Sequence, residues 1–274
     1  MREWWRGLTG ELAGLVLPVD CAGCGAVGET LCAACRSELG GAGAGPVRPS
    51  PRPAGLPAVY AAAVYREAVR AVVLAHKERG ALPLAGPLGA ALAAAVRAGA
   101  QGCGGAGRVG EGEVALVPVP SARHRVRARG HDPARRIALA ASARLRREGV
   151  PARVTPVLRL RRAVADQAGL GASERRENLA GALEARPGAG RVTAGAARIV
   201  IVDDLITTGS TLVEAARALR AVGIGSPAGA GPGAVVTAAV VAAPVDAFVH
   251  PGAVDDSGRI RADPVRNSNR AKNL

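Results

Sequence analysis

Two adjacent carboxylates, Asp203 and Asp204, are the residues whose type and position most directly suggest chemistry. They follow residues 199–202, a run too apolar to alternate, which predicts a strand buried on both faces. Carboxylates at a strand end accept hydrogen bonds from vicinal sugar hydroxyls or coordinate a hard cation. The pair has no basic neighbour in the sequence, so we expect it to bind one of these two kinds of ligand.

The segment after the acid pair predicts an anion-binding loop that leads into a helix. Residues 212–219 carry apolar side chains at helical spacing. The N–H groups of the loop and of the first helical turn can converge on one anion, aided by the positive end of the helix dipole. Glycine allows a close backbone approach, and hydroxyls add donors. The loop residues are Thr207, Thr208, Gly209, Ser210 and Thr211. The alternative is an ordinary strand-to-helix connection whose Asp and Ser cap the helix.

Four cysteines near the N-terminus have the spacing of a zinc site. Cys21 and Cys24 form one C-x-x-C pair, and Cys32 and Cys35 form a second one after seven intervening residues. Two such pairs place four thiolates within reach of one tetrahedral Zn²⁺. A disulfide pair and chance spacing are the alternatives, and disulfides are rare in cytoplasmic proteins. Because all four ligands come from the protein, we expect a closed, structural site.

Two cationic segments are candidates for holding a diphosphate, because arginine forks match phosphate oxygens. The first follows a predicted strand at 114–117 and ends in Arg129-Gly130, where glycine allows close approach. We predict a loop here, followed by a helix over 133–147. The alternative is a basic surface loop that binds nucleic acid non-specifically.

The second segment, residues 159–178, is polar and cationic and contains Arg175. We interpret it as a mobile flap over the site, with Ser173 as the N-cap of a helix. Residues 76–80 add a turn with two basic side chains after a helix over 67–76. For this turn, a solvated helix end is the alternative, because basic side chains favour the negative pole of the dipole.

The order of predicted elements indicates an α/β fold with a mainly parallel sheet flanked by helices. Further strands are predicted at 58–65, 154–160 and 234–243, and an alanine-rich helix at 84–98. Residues 1–40 hold an amphipathic helix over 3–16 and the cysteine module, 41–57 form a Gly/Pro-rich linker, 58–245 form the main domain, and 246–274 form a disordered tail.

The composition indicates the chemical class of partner, phosphates and nucleic acid, but identifies no single partner. The chain has 274 residues, a net charge of +14 and only 2% aromatic residues. This charge attracts phosphates and nucleic acid non-specifically, but the scattered aromatic residues form no stacking platform for bases. Acidic residues interrupt the N-terminal apolar stretch, and charged residues and prolines break the apolar runs at 84–100 and 234–249. We therefore expect no signal peptide, no membrane span and a cytoplasmic location.

The whole order of motifs resembles the ComF family, proteins of phosphoribosyltransferase type associated with competence and DNA utilisation. The run from residue 198 to 212 resembles the phosphoribosyl-diphosphate (PRPP) motif of type I phosphoribosyltransferases. The remaining likeness, over about residues 12–243, lies in the cysteine pairs, Tyr65, residues 76–80, Pro118-Val119-Pro120, Arg129-Gly130, and the stretch from Arg159 to Ala182. Where the family usually has an aromatic residue and Asn-Gln after Arg-Gly, this chain has His131-Asp132-Pro133.

The resemblance implies a type I phosphoribosyltransferase fold and PRPP as the ligand. It places ribose hydroxyls on Asp203 and Asp204, the 5′-phosphate in the loop from Thr207 to Thr211, and diphosphate at Arg129-Gly130 and Arg175. It further implies Mg²⁺ bridging diphosphate and ribose, and displacement of diphosphate from C1 by an acceptor. Thr207 stands where purine-specific relatives carry an acid, so the acceptor is not identified. The alternative is a non-catalytic phosphoribosyl-binding protein that serves DNA uptake or recombination partners.

Overall fold

The computed structural model describes residues 20–41, 43–102, 112–162, 178–225 and 234–249. The strands are β1 (Gly45–Val47), β2 (Ala58–Val64), β3 (Glu113–Pro118), β4 (Ala152–Val154), β5 (Leu158–Leu160), β6 (Leu183–Ala185), β7 (Ala196–Leu205) and β8 (Val235–Ala243). The α-helices are α1 (Ala33–Leu39), α2 (Glu67–Glu78), α3 (Ala85–Gly102), α4 (Arg123–Arg129), α5 (Pro133–Arg147), α6 (Ala189–Thr193) and α7 (Ser210–Arg220). The predicted helix at 3–16, Cys103, Ser173, Arg175 and residues 250–274 of the predicted tail lie outside the described residues. Residues 246–249, also predicted as disordered tail, are instead held by Phe248, which bridges Val47, and by the Val249 N–H, which donates to the Pro46 carbonyl.

The main sheet has six strands in the order β1-β2-β8-β7-β3-β4. Neighbouring strands are parallel throughout, except that β1 runs antiparallel to β2. Strands β5 and β6 form a separate antiparallel pair. Helices cover the sheet, so the predicted α/β class with a mainly parallel, helix-flanked sheet is confirmed.

The apolar runs form strands because both of their faces are covered. On β7, Val200 and Val202 pack into one hydrophobic cluster with helices α2, α3 and α5. Ile199 and Ile201 pack into a second cluster, on the opposite face, with α7 and the β5–β6 pair. Side chains of a strand alternate between faces. A central strand between two helical layers must therefore be apolar at every position, as predicted for residues 199–202.

The stretch predicted as a linker contributes to the sheet. Within 41–57, β1 pairs with β2, and Val47 forms an isolated bridge with Phe248 beyond β8. Leu56 is buried against the second hydrophobic cluster. A three-residue edge strand has few apolar positions, so the Gly/Pro-rich sequence has no pattern from which β1 could be predicted.

Two local predictions are wrong. The strand expected over 154–160 is two strands, β4 and β5, which belong to different sheets; Pro156 separates them, because proline has no N–H for a ladder. The basic segment expected as a loop forms α4, which ends at Gly130 with φ 74°. Arginine and alanine favour helix, and a left-handed glycine is a common helix end.

The helix segment Leu82–Gly102 is long and apolar enough to cross a membrane by length and composition. In the fold, 61% of it is buried, and Leu88, Leu92 and Val96 belong to the first hydrophobic cluster. Such burial is typical of a core helix. The cytoplasmic location stays a prediction.

Candidate functional site

The acid pair lies in the last residues of β7, at the edge where the parallel strands end. The strand continues through both acids to Leu205, so they are part of it rather than following it. Asp204 is only 4% exposed, and Asp203 is partly exposed. Ligands of open parallel sheets bind outside the carboxyl ends of the strands. The pair therefore occupies the edge where a ligand is expected.

The loop between β7 and α7 is a tight turn built around Gly209. This glycine directly precedes α7 and has φ 77°, in the left-handed region that glycine adopts at low cost. A Cβ atom there would lie 3.0 Å from Cδ1 of Leu56. The hydroxyl oxygens of Thr208 and Ser210 are 3.0 Å apart, and the Ser210 N–H donates to Thr208 Oγ1 at 3.4 Å. The left-handed backbone therefore favours glycine, and a Cβ here would also require the Leu56 side chain to shift slightly.

The start of α7 has the features of an anion site. The first N–H groups of a helix have no partner within it and carry the positive end of the dipole. The N-cap residue of α7 is Gly209, which has no side chain to cap the helix, and Thr208 Oγ1 accepts only the first N–H, that of Ser210, at 3.4 Å. Thr207 is exposed and Thr208 is half-buried beside these N–H groups. This arrangement can bind a phosphate-sized anion.

Lys77, at the end of α2, completes the site from a distant part of the chain. Its Nζ donates to both carboxylate oxygens of Asp204, at 3.1 Å to Oδ1 and 2.7 Å to Oδ2. The Lys77 side chain is 35% exposed, whereas that of Asp204 is 5% exposed. We predicted two basic side chains at this helix end but did not pair either with the acids. The one available signal is that Lys77 is one of only two lysines in the chain.

The electrostatics of the three groups are linked. Burial raises the pKa of Asp203 to about 8, and the neighbouring charge of Asp204 adds to this effect. Asp203 Oδ1 also accepts the N–H of Asp204 at 2.9 Å. Burial lowers the pKa of Lys77, but the charges of Asp204 and then Asp203 outweigh it, so this pKa lies above its ordinary value. The site thus holds the Lys77–Asp204 ion pair beside a second carboxyl, that of Asp203, whose pKa is raised.

Arg129, the predicted diphosphate ligand, reaches the same helix end as Lys77. Its guanidinium donates to both carboxylate oxygens of Glu78, at 2.8 and 2.6 Å. The Arg129 side chain is 12% exposed, and Gly130 is exposed with open space around its Cα. The structure therefore engages Arg129 with the carboxylate of Glu78, the residue that follows Lys77 in the chain.

The two residues after Gly130 have structural contacts. Asp132 is the N-cap of α5, and its side chain accepts the Arg135 N–H at 3.2 Å. Its other oxygen lies 3.5 Å from the Ser121 N–H. His131 is buried, with ring nitrogens near the carbonyl oxygens of Arg129 and His76. The departure from the family pattern thus has a local explanation at Asp132, as a cap.

A cleft of about 130 Å³ lies beside the Thr208 turn. One wall is proline-rich and comes from the stretch predicted as a linker, and another comes from residues that follow β8. Its lining is Pro49, Ser50, Pro51, Pro53, Thr207, Thr208, Ser210, Pro244, Asp246 and Ala247. The sequence interpretation missed this wall, because Pro-rich composition indicates a connection between domains.

The four N-terminal cysteines form a cluster able to hold a metal ion such as zinc. Their Sγ atoms all lie within 4.8 Å of one another, and those of Cys24 and Cys32 are 3.6 Å apart. Four sulfurs at about 2.3 Å from one tetrahedral Zn²⁺ would be about 3.8 Å from each other. All four cysteines are free of disulfides. The donor set and the spacing therefore both fit a closed tetrahedral site.

Backbone contacts shape this cluster and join it to the main core. The Cys32 N–H donates to Cys21 Sγ at 3.3 Å. Burial raises the pKa of Cys21, but N–H donors, led by that of Cys32, outweigh it and lower the pKa to about 6. Burial raises the pKa of Cys35, as do the neighbouring thiols. Cys21 and Cys35 belong to the first hydrophobic cluster, and a Cβ at Gly23 would lie 3.2 Å from Ala68 on α2.

The structure thus brings most of the predicted site residues to two places. The cysteines converge on one centre, and the acids, the Thr207–Thr211 loop and Arg129 lie around the ends of β7, α2 and α4. Arg175 and the predicted flap lie outside the described residues. Sequence reasoning did not predict three features of the site: the pairing of Lys77 with Asp204, the contacts of His131 and the proline-rich wall of the cleft.

No family model matches the chain, and no curated protein matches it. On its own residues, the chain is a mixed α/β protein with a six-stranded, mostly parallel sheet and a four-cysteine cluster able to hold a metal ion.

Proposed function

We propose that this chain is a ComF-like phosphoribosyltransferase, which transfers the phosphoribosyl group of PRPP to an acceptor and releases diphosphate. The observation that carries the proposal is the end of β7, where two carboxylates are followed, after a short turn, by a helix N-terminus whose N-cap is Gly209. Acceptors for sugar hydroxyls and donors for a phosphate are thereby separated by one short turn. Both halves of a phosphorylated sugar are matched in one place.

The chain's own groups would bind and orient the ligand. Asp203 and Asp204 accept hydrogen bonds from the ribose hydroxyls, while the turn at Gly209 and the first N–H groups of α7 hold the 5′-phosphate. In the reaction, the bond from C1 to diphosphate breaks and a bond from C1 to the acceptor forms. Mg²⁺, for which the two carboxylates are suitable hard ligands, would supply positive charge against the diphosphate.

Two cations are available for the charge that develops on the leaving group. The Lys77 ammonium forms an ion pair with Asp204, and the Arg129 guanidinium forms one with Glu78. Lys77 and Glu78 are the last two residues of α2. A diphosphate carries more charge than a carboxylate and can draw both side chains away from their partners. These side chains would then stabilise the charge on the departing oxygen.

The first experiment measures the melting temperature with and without PRPP and Mg²⁺. A ligand that binds only the folded state at about 100 times its Kd adds about 2.7 kcal/mol, equivalent to a rise of roughly 5–10 °C. An Asp203→Asn, Asp204→Asn double variant should lose this rise, and so should Thr208→Val. The exposed Glu38→Gln variant on α1 is the control and should retain it. An unchanged melting curve for the wild-type chain would contradict the proposal.

A second candidate is a non-catalytic phosphoribosyl-binding protein. The observation in its favour is that both candidate leaving-group cations are engaged by carboxylates. Measuring diphosphate release across a panel of bases and amines separates the two functions. Release that requires both an acceptor and the acid pair supports the transferase. Binding without release across the panel supports the binding protein.

The cysteine cluster is proposed to hold one structural Zn²⁺, because four protein ligands leave no open coordination position. A cytoplasmic location and partners in competence or recombination belong to the same proposal. Weak, non-specific DNA binding is expected from the charge of +14, with affinity that falls steeply between low and physiological salt. Tight, sequence-selective and salt-insensitive binding in a filter assay would indicate a dedicated DNA site instead.

A further inference from the structure

His131 is a buried side chain that the proposed chemistry does not use. It is 6% exposed. Its Nδ1 lies 3.1 Å from the Arg129 carbonyl oxygen, and its Nε2 lies 3.1 Å from the His76 carbonyl oxygen. A carbonyl oxygen only accepts. The ring therefore donates to one carbonyl as either neutral tautomer and to both as the imidazolium.

These two carbonyls lie at the ends of two helices. His76 is in the last turn of α2, and Arg129 is the last residue of α4. Carbonyls at a helix C-terminus have no partner within the helix, and they carry the negative end of its dipole. One imidazole ring thus joins two helix ends through groups that would otherwise lack a donor.

The residues next to these carbonyls carry the cations of the site. His76 directly precedes Lys77, which pairs with Asp204, and Arg129 itself pairs with Glu78. The His76 ring is 5.2 Å from the His131 ring, with the planes inclined by 58°. The end of α2 and the end of α4 are thus connected in three ways: by the packing of the two rings, by the hydrogen bonds of His131 and by the Arg129–Glu78 pair.

We propose that His131 is a positioning residue that holds the end of α2 against the end of α4 and so keeps Lys77 on Asp204. Its effect passes through the backbone of His76, not through contact with a ligand. The consequence for PRPP rests on the proposed function, whereas the effect on the ion pair does not. If His131 merely fills space in the core, its replacement lowers stability but leaves the Lys77–Asp204 pair unaffected.

The first test is a double-mutant cycle followed by urea unfolding without ligand. His131→Phe keeps a planar ring and removes both hydrogen bonds; Lys77→Met removes the ion pair. If His131 positions Lys77, the loss in urea midpoint caused by Lys77→Met should fall by about half or more in the His131→Phe background. Equal losses in both backgrounds overturn the proposal.

Arg217→Met provides a matched control. Arg217 pairs with Glu214 at 2.7 Å, with side chains 47% and 6% exposed, which resembles the 35% and 5% of Lys77 and Asp204. The decrease in urea midpoint caused by Arg217→Met should be the same with and without His131→Phe. A reduced loss there as well would show general loosening and would overturn the positioning role. If His131→Phe does not fold, His131→Gln replaces it, because its amide can satisfy a buried carbonyl but lacks the planar ring whose two nitrogens lie against both helix ends.

The second test measures the Kd of PRPP by calorimetry on folded protein. His131→Phe should weaken binding on the order of tenfold, as for residues that orient a ligand-binding group. In the Lys77→Met background it should cause no further loss. A tenfold loss that persists there would overturn transmission through Lys77. If the wild-type chain does not bind PRPP, the proposed function fails, and the urea cycle alone decides the role of His131.

Discussion

The cysteine cluster and the acid site are built on opposite principles. The four cysteines lie within fifteen residues, between Cys21 and Cys35, and they converge to within 4.8 Å. The acid site instead joins Asp204 to Lys77, which are 127 residues apart. A site made from neighbours in sequence can be recognised from spacing alone. A site made from distant segments depends on which strands and helices become neighbours in the fold.

The two sites nevertheless share a helix. The cysteine cluster packs on the first turn of α2, where a Cβ at Gly23 would lie 3.2 Å from Ala68, and Lys77 lies in the last turn of the same helix. The local site therefore supports an element that the distant site needs.

Loss of the metal ion should have the largest effect. Purified without added metal, the chain should contain one zinc per molecule by elemental analysis, and Cys32→Ser should contain none. Metal binding supplies about 10 kcal/mol or more to small zinc modules, so the melting temperature should fall by more than 10 °C. Limited proteolysis should then cleave first near the cysteines.

The control for this prediction is Cys103→Ser, which changes the one cysteine outside the two C-x-x-C pairs. It should leave zinc content and melting temperature unchanged. A metal-free chain whose N-terminal module resists protease would show that the cluster folds without an ion. The contrast between the two sites would then lose its physical basis.

Removal of Lys77 should have the next largest effect, because it leaves the carboxylate of Asp204 buried without its partner. Breaking an exposed pair costs about 0–1 kcal/mol, and breaking a buried pair about 3–5 kcal/mol. With Lys77 partly exposed, Lys77→Met should cost about 2 kcal/mol in urea unfolding. Adding Asp204→Asn should recover part of that loss, since the unpaired charge is removed. A further loss would show that Asp204 is stabilised by other groups.

The pH dependence of stability should identify Asp203. Its pKa is raised to about 8 in the folded chain, from an unfolded value of about 4. Between about pH 4 and about pH 8 the unfolded chain has lost this proton while the folded chain keeps it, so the group costs stability progressively over that range, and the cost is constant above it. Asp203→Asn removes this cost.

The melting temperature of Asp203→Asn relative to wild type should therefore rise between pH 5 and pH 9. The expected gain in the free energy of unfolding is about 1–2 kcal/mol, after allowance for the screening of a partly exposed group by solvent. Glu38→Gln, at an exposed acid on α1, should give a flat difference over the same range. A flat difference for Asp203→Asn as well would mean that the folded and unfolded pKa values are equal.

Gly209→Ala should have the smallest effect on stability. The substitution forces a non-glycine residue to φ 77° and places its Cβ 3.0 Å from Leu56. The cost should be about 1 kcal/mol, measured by urea unfolding. The exposed Gly130→Ala, at φ 74° but with open space around it, is the matched control for backbone strain alone. Equal costs at both positions would show that Leu56 moves away freely.

Local features of the fold could be predicted from the sequence. The strand at residues 199–202 was predicted from its continuous apolar run, the helix over 133–147 was predicted after the Arg-rich segment, and both are present. The segment 123–129 was expected as a loop, because its arginines suggested a ligand, although their helix propensity predicted α4 better. The edge strand at Gly45–Val47 has no apolar pattern of its own, so only its pairing with β2 reveals it.

By itself, the sequence determined the chemistry whose parts are close together in the chain. The cysteine spacing and the turn around Gly209 depend on residue types and on backbone geometry over a few positions. The tertiary structure alone decided the rest: Lys77 on Asp204, Arg129 on Glu78, and His131 between two helix ends. These contacts join segments that meet only because the strand order places β7 beside β3 and β8 and packs α2 over their ends. No short-range pattern records that order, since it results from burial summed over the whole sheet.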